Sequence, residues 1–250
     1  AARGRYHCST EEMRAARGVS LPAVRASLRR LKRRGEIADP YQGFYVIVPP
    51  EYRRIGCLPP EQFIPPLMAH LGEVYYVALL SAGELHGAAH HRPQAFQVML
   101  AKNRRPLVCG QVRVQFIALA ELERTPVVEL RGARGPLRVA SPEATAFELV
   151  GYAERCGGLD NVASVLRELA EVLDAVRLVA AARLYPIAWV QRLGYLLDLA
   201  GHRELADALV EHVRTHAVVV APLMRVMSTA RAPRAERWKL AINVSVEPDE

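Results

Sequence analysis

The chain has 250 residues, 51% of them apolar, a mean hydropathy of +0.03 and a formal net charge of +7. That length accommodates one large domain or two modest ones. No apolar run approaches the ~18–20 residues of a membrane span, which excludes a helical membrane protein, and the opening AARGRYHCS lacks the apolar core of an export signal, so the expected location is cytoplasmic.

Charge is unevenly placed. Residues 1–54 carry twelve Arg/Lys against five Asp/Glu, whereas residues 55–250 carry 21 of each. The whole excess therefore lies in the first fifth of the chain, the footprint of a small polyanion-binding module joined to a neutral domain. The expected division is a DNA-binding domain over 1–54 and a second domain over 55–250.

In chain order, Ser9-Thr10-Glu11-Glu12 reads as a capping box, with Ser9 as N-cap and Glu12 reaching back. A short helix follows, and Gly18 stops it. Val19 and Ser20 form a turn, with Ser20 as the next N-cap and Pro22 in the first turn of a second helix, where it removes no intrahelical donor. In that helix Leu21, Val24, Leu28 and Leu31 repeat at spacings of 3, 4 and 3 and form one apolar stripe. Pro22, Ala26, Arg29, Arg30 and Arg33 lie on the opposite face. Arg25 and Lys32 flank the stripe, and Gly35 ends the helix.

Glu36-Ile37-Ala38 and Phe44–Val48 then flank the turn Asp39-Pro40-Tyr41-Gln42-Gly43, a hairpin pattern. Helix, turn, helix and hairpin together make a winged helix-turn-helix. In such a unit the N-terminal residues of the second helix approach the bases of double-stranded DNA. The candidate DNA-binding residues are Ser20, Pro22, Ala23, Arg25 and Ala26 near base edges, Arg29, Arg30 and Arg33 at phosphates, and Tyr41 and Gln42 at the wing tip. Competing readings of a basic amphipathic helix are RNA, a protein or membrane partner, or a solvated face. The helix that usually precedes this arrangement is not seen ahead of Cys8.

Beyond the wing, Pro49–Pro66 holds six prolines and reads as a linker with turns. Phe63, Leu67, Met68 and Leu71 give a helical stripe. Ser81 and Glu84 read as a capping box opening a helix that ends near His90. Strands are expected over Gln94–Leu100, as a hairpin over Leu107–Ala118 around Gly110, and at Val127–Leu130 and Leu137–Val139. Ser141-Pro142-Glu143 starts a helix with Pro at its first position. Helices over Asn161–Leu173, Ile187–Ala200 and Arg203–Val213 follow, then strands at Val218–Leu223 and Trp238–Val246. Strands followed by a run of helices predict an α+β fold.

No catalytic signature emerges. His86 and His90 stand four apart, a spacing open to a metal, but Gly87 occupies the general-base position of the zinc-protease motif and no third ligand is evident. There is no Walker loop, G-x-S-x-G or G-x-G-x-x-G. Asp160, Asp174, Asp198 and Asp207 read as caps and exposed faces; Arg104, Arg105, Arg131 and Arg134 read as solvated loop charges. Arg192, within an apolar helix, is expected to pair with a carboxylate. Cys8, Cys57, Cys109 and Cys156 lie about fifty residues apart with no C-x-x-C, and are read as reduced core thiols. No metal, cofactor or catalytic residue is assigned.

Four stretches carry a family resemblance: GFYVIVPPEYRRIG (Gly43–Gly56), YYVALLSAGELHGAAHHRPQAFQVML (Tyr75–Leu100), SPEATAFELVGYAERCGGLDNVASVLREL (Ser141–Leu169) and QRLGYLLDLAG (Gln191–Gly201). In this order they make the chain similar to the AbiEi family, antitoxins of bacterial type IV toxin–antitoxin (abortive infection) systems. The resemblance implies an N-terminal winged helix that binds inverted repeats in its own promoter and represses the operon. It also implies a C-terminal domain that opposes a cognate AbiEii-like nucleotidyltransferase toxin, with direct contact left open, and no catalysis or cofactor. On DNA the protein is expected as a monomer or weak dimer. The rival functions are a ligand-sensing winged-helix regulator and a nucleic-acid-processing enzyme with a catalytic C-terminal domain.

Overall fold

A computed structural model describes residues 6–18, 20–88 and 93–247. The fold is mixed α+β. The strands pair into three sheets, ordered β1-β3-β2, β6-β7-β5-β4-β9-β8 and β10-β12-β11 by the numbering that follows. The chain forms two compact units, residues 1–76, 94–122 and 129–138 in the first, and 77–93, 123–128 and 139–250 in the second. Residue 54 falls inside the first unit.

The first unit opens with β1 (His7–Ser9), α1 (Thr10–Arg17) and α2 (Leu21–Arg33), then β2 (Ile37–Tyr41) and β3 (Phe44–Ile47). The capping box forms as read: the Glu12 N–H donates to Ser9 Oγ at 3.0 Å, and the Ser9 N–H donates to Glu12 Oε2 at 2.8 Å. Gly18 ends α1 in the left-handed region. Ser20 is the N-cap of α2, with extended backbone, though its side chain makes no capping bond. Val19 lies outside the described residues. Gly35, at φ +67°, closes α2 with a double backbone bond: its own N–H reaches the Lys32 carbonyl (2.9 Å) and the Glu36 N–H reaches that of Leu31 (3.1 Å).

The hairpin is tighter than its sequence suggests. Tyr41 pairs with Phe44, so only Gln42 and Gly43 form the turn, and a bulge between Ala38 and Tyr41 absorbs Asp39 and Pro40. β1 adds to β3, opposite β2, as an antiparallel third strand. Val24, Leu28 and Ile37 form the buried nucleus of this region, with Met13, Leu31 and Tyr45 packed around it.

The proline-rich stretch is not a linker. A short 3-10 turn at Pro50–Tyr52 leads to α3 (Pro60–Leu71), which contains Pro65 and Pro66, and Cys57, Leu58, Phe63 and Ile64 are buried. Apolar spacing here outweighs the loss of two backbone donors, since tertiary burial routinely overrides propensity. After β4 (Tyr75–Val77) and α4 (Leu79–Leu85) come β5 (Phe96–Leu100), β6 (Leu107–Cys109), β7 (Val112–Ala118), β8 (Val127–Gly132) and β9 (Gly135–Ala140). β5 runs parallel to β7, and β6 folds back antiparallel on β7 through Gly110. Gly110 has φ +59°, and a Cβ there would strike the Ile55 carbonyl and Gly56, so this close approach requires glycine.

The second unit is mostly helical. α4 starts from Ala78 without a side-chain cap, and Ser81 lies buried inside it, so the predicted box at Ser81 is wrong. The helix ends at Leu85. α5 (Pro142–Gly151) begins as read, with Ser141 Oγ accepting from the Ala144 N–H at 3.2 Å, and is buried from Glu143 to Val150. It is therefore the central helix, which suits its all-round apolar sequence. α6 (Leu159–Leu169), α7 (Ala175–Ala182), α8 (Ile187–Leu199) and α9 (Arg203–His216) follow. α7 was not foreseen; Asp174 caps it, accepting from the Arg177 N–H at 2.8 Å. The two long terminal strands shrink to β10 (Ala221–Pro222) and β12 (Leu240–Ala241), and β11 (Arg234–Ala235) forms in the stretch between them. Val218, Val219 and Val220 stay outside them, 91%, 69% and 39% exposed, which is why their β-propensity counts for little here.

Candidate nucleic-acid interface

α2 presents two unlike faces. Val24 and Leu28 are 2% and 3% exposed and anchor one side. Pro22, Ala23, Arg25, Ala26, Arg29, Arg30 and Arg33 are all exposed, as are Ser20 before the helix and Tyr41 and Gln42 at the hairpin turn. Every candidate DNA-contacting residue is thus on the surface of the first unit, and the buried stripe gives the helical ones a fixed direction.

The six basic residues of Leu21–Arg34 do not behave alike. Lys32 Nζ lies 2.5 Å from Asp39 Oδ1, joining the helix end to the hairpin. That bond, outweighing a small burial penalty, raises the Lys32 pKa above its ordinary value. Arg34 sits 3.8 Å from Glu36. Arg25, Arg29, Arg30 and Arg33 have no ion pair among the described residues. The uncompensated charge of the helix is therefore those four guanidiniums.

The two helix starts also differ. α1 carries Glu11 and Glu12 in its first turn, with the box satisfying its leading donors. α2 has no acid in its first turn and no side-chain cap. An uncapped N-terminus with exposed N–H groups and the positive end of a helix dipole favours an approaching phosphate, whereas acids at α1 repel one.

Other residues near the hairpin were not foreseen. Arg104, read as a solvated charge, donates from Nη2 to Glu73 Oε1 at 2.6 Å and from Nη1 to the Tyr41 hydroxyl at 3.2 Å. Arg134 donates from Nε to Gln62 Oε1 at 2.5 Å, its guanidinium 3.2 Å from the centre of the Tyr6 ring. Tyr41 is therefore a positioned side chain held from below by Arg104. No spacing rule pairs residues 41 and 104, and only the fold brings them together.

Of the clustered histidines, His86 is the one among the described residues. His86 is the C-cap of α4 rather than a mid-helix residue, and its Nε2 lies 2.7 Å from the Ala140 carbonyl. His90 and His91 lie outside the described residues. Among the described residues no group of three or more His, Cys, Asp or Glu is arranged to hold a metal ion. Cys57, Cys109 and Cys156 are buried free thiols. Cys57 and Cys109 share a hydrogen bond that, with burial, pushes the Cys57 thiol up. No helix among the described residues is long and apolar enough to cross a membrane.

Residues 76–199, from β4 to the end of α8, match the family model for the AbiEi antitoxin C-terminal domain. The chain belongs to the AbiEi antitoxin family. This AbiEi chain is also similar to the crystal structure of the RV2827C protein from Mycobacterium tuberculosis, with a TM-score of 0.66 at 19% identity over 94% of this chain and 86% of that one. At that identity the likeness concerns the fold. Among curated proteins none matches the chain. Membership assigns an antitoxin or regulatory role at the level of the family. The matched span begins after α2 and the hairpin, so the basic face is an addition to what the AbiEi model describes.

Proposed function

We propose that this AbiEi protein is both an antitoxin and a transcriptional autorepressor. Residues 1–54 bind double-stranded DNA at inverted repeats in the protein's own promoter, as monomers or a weak dimer. Residues 55–250 counteract a cognate toxin resembling AbiEii nucleotidyltransferases, and no catalysis by the chain itself is needed. The observation that carries the DNA reading is the row Arg25, Arg29, Arg30 and Arg33: exposed, unpaired among the described residues, and aimed by a buried stripe on the same helix. Ser20, Pro22, Ala23 and Ala26 are small enough to let α2 approach base edges, and Gln42 tips the wing. Arg29, Arg30 and Arg33 supply affinity more than specificity, because phosphate contacts carry no sequence information.

Binding to the promoter is measured across a salt series. Each phosphate contact adds about −0.9 to the slope of log K against log salt, so neutralising Arg29, Arg30 and Arg33 together is expected to flatten it by up to about 3. An unchanged slope and affinity would place the DNA surface elsewhere.

A further inference from the structure

Arg192, on α8 in the second unit, is only 4% exposed. The expected carboxylate partner is absent among the described residues. Its Nε donates to the Pro222 carbonyl at 3.0 Å, and its two Nη groups have no protein acceptor there. Neither Nη is sealed in protein, so both border open space. That space is a cleft of about 150 Å³ between the end of α5, α8 and the segment after β10, lined by Gly151, Tyr152, Arg155, Arg192, Met224 and Arg225 among others. Arg225 is exposed and has no ion pair among the described residues. Glu154, the one carboxylate among the lining residues, is exposed and without an ion pair there.

A largely buried guanidinium without a counter-charge is costly, because burial strips part of its hydration and the Pro222 carbonyl satisfies only Nε. Burial, and the neighbouring Arg225 charge after it, push the Arg192 pKa below its ordinary value. Arginine nevertheless stays charged in proteins. The conserving solution in such a site is a bound anion. Arginine's fixed fork of donors matches the tetrahedral oxygens of phosphate. Tyr152 remains a phenol able to donate, since burial and Glu148 raise its pKa. The cleft is smaller than pockets for drug-sized ligands, which run to ~300 Å³ or more. Its size suits a single oxyanion group.

We propose that the cleft around Arg192 and Arg225 is a binding site for a phosphate group, either the free ion or the terminal phosphate of a larger molecule that projects into solvent. The site stands on the second unit and is independent of DNA binding by α2. Calorimetric titration of the full-length chain at constant ionic strength tests it, with inorganic phosphate, glycerol phosphate and AMP as probes and chloride as control. Saturable binding of phosphate is expected, weakened about tenfold in Arg225→Ala by loss of a charge-assisted contact and abolished in Arg192→Met. Equal affinity for all three probes identifies the phosphate alone as the ligand; tighter AMP binding identifies a nucleotide carrier. Neutralising Arg29, Arg30 and Arg33 should leave binding unchanged. Arg225 is on the surface, so Arg225→Ala keeps the test valid if Arg192→Met fails to fold. No saturation at millimolar phosphate, or affinity indifferent to Arg225→Ala, overturns the site, as does binding lost with the N-terminal triple alone.

Discussion

Gly194 on α8 shows how a single atom can decide packing. A Cβ there would run into the Trp238 indole, a ring 1% exposed whose Nε1 donates to Asp198 Oδ2 at 2.7 Å. Gly194→Ala gains about 1 kcal/mol of helix propensity but overpacks the indole, at a cost of about 1–3 kcal/mol. The clash is expected to win, and a lower urea midpoint with unchanged slope would report it; a raised midpoint would mean the indole has room to shift. Arg104 offers a second case. It bridges Glu73 and Tyr41, with side-chain exposures of 23% and 10% for the Arg104–Glu73 pair. Arg104→Ala leaves a nearly buried carboxylate unpartnered and should cost about 1–3 kcal/mol. It should also loosen Tyr41, so promoter affinity is expected to fall without a change in base preference. Neither partnership could be read in sequence: Gly194 looks like a weak point in a helix, and Arg104 like one of two adjacent loop arginines.

At the level of elements, legibility followed locality. The capping box at Ser9 and Glu12, the start at Ser141-Pro142 and the glycine close of α2 all depend on residues within five positions of one another, and all formed. The proline run 49–66 and the valines at 218–220 were misread because their fate rests on distant partners: one packs into a core as α3, the others find no sheet to join. α7 was missed because its eight residues are too short for a clear repeat. α9 carries a pH response of its own. His212 stacks on His216 with ring centroids 4.3 Å apart. Burial, then the neighbouring His216 and Arg183, lower the His212 pKa below 6.5. The unfolded chain therefore takes up a proton on His212 before the folded one does. This contribution to stability is complete above pH 6.5 and is lost as pH falls through the folded value. Thermal melts of His212→Gln should show less loss between neutral and mildly acidic pH than the parent; parallel curves would assign the acid sensitivity to other groups.

For the molecule as a whole, the charge excess and the family match fall on different parts of the chain. The excess of seven positive charges lies within residues 1–54, and the family match within 76–199. Co-expression with the proposed cognate toxin separates the two halves of the proposed function. The Arg29, Arg30 and Arg33 triple is expected to lose promoter repression while still rescuing growth; loss of rescue with repression intact would reverse that division of labour. The sequence by itself determined the local patterns: caps, the apolar stripe of α2, the segregation of charge and the order of family strings. These are properties of neighbours along the chain, set by backbone geometry and side-chain periodicity. Only the tertiary structure decided which charges remain uncompensated. Lys32 meets Asp39, Arg104 meets Glu73 and Arg192 meets no carboxylate among the described residues, because pairing depends on distances that folding, and not spacing in sequence, brings within reach.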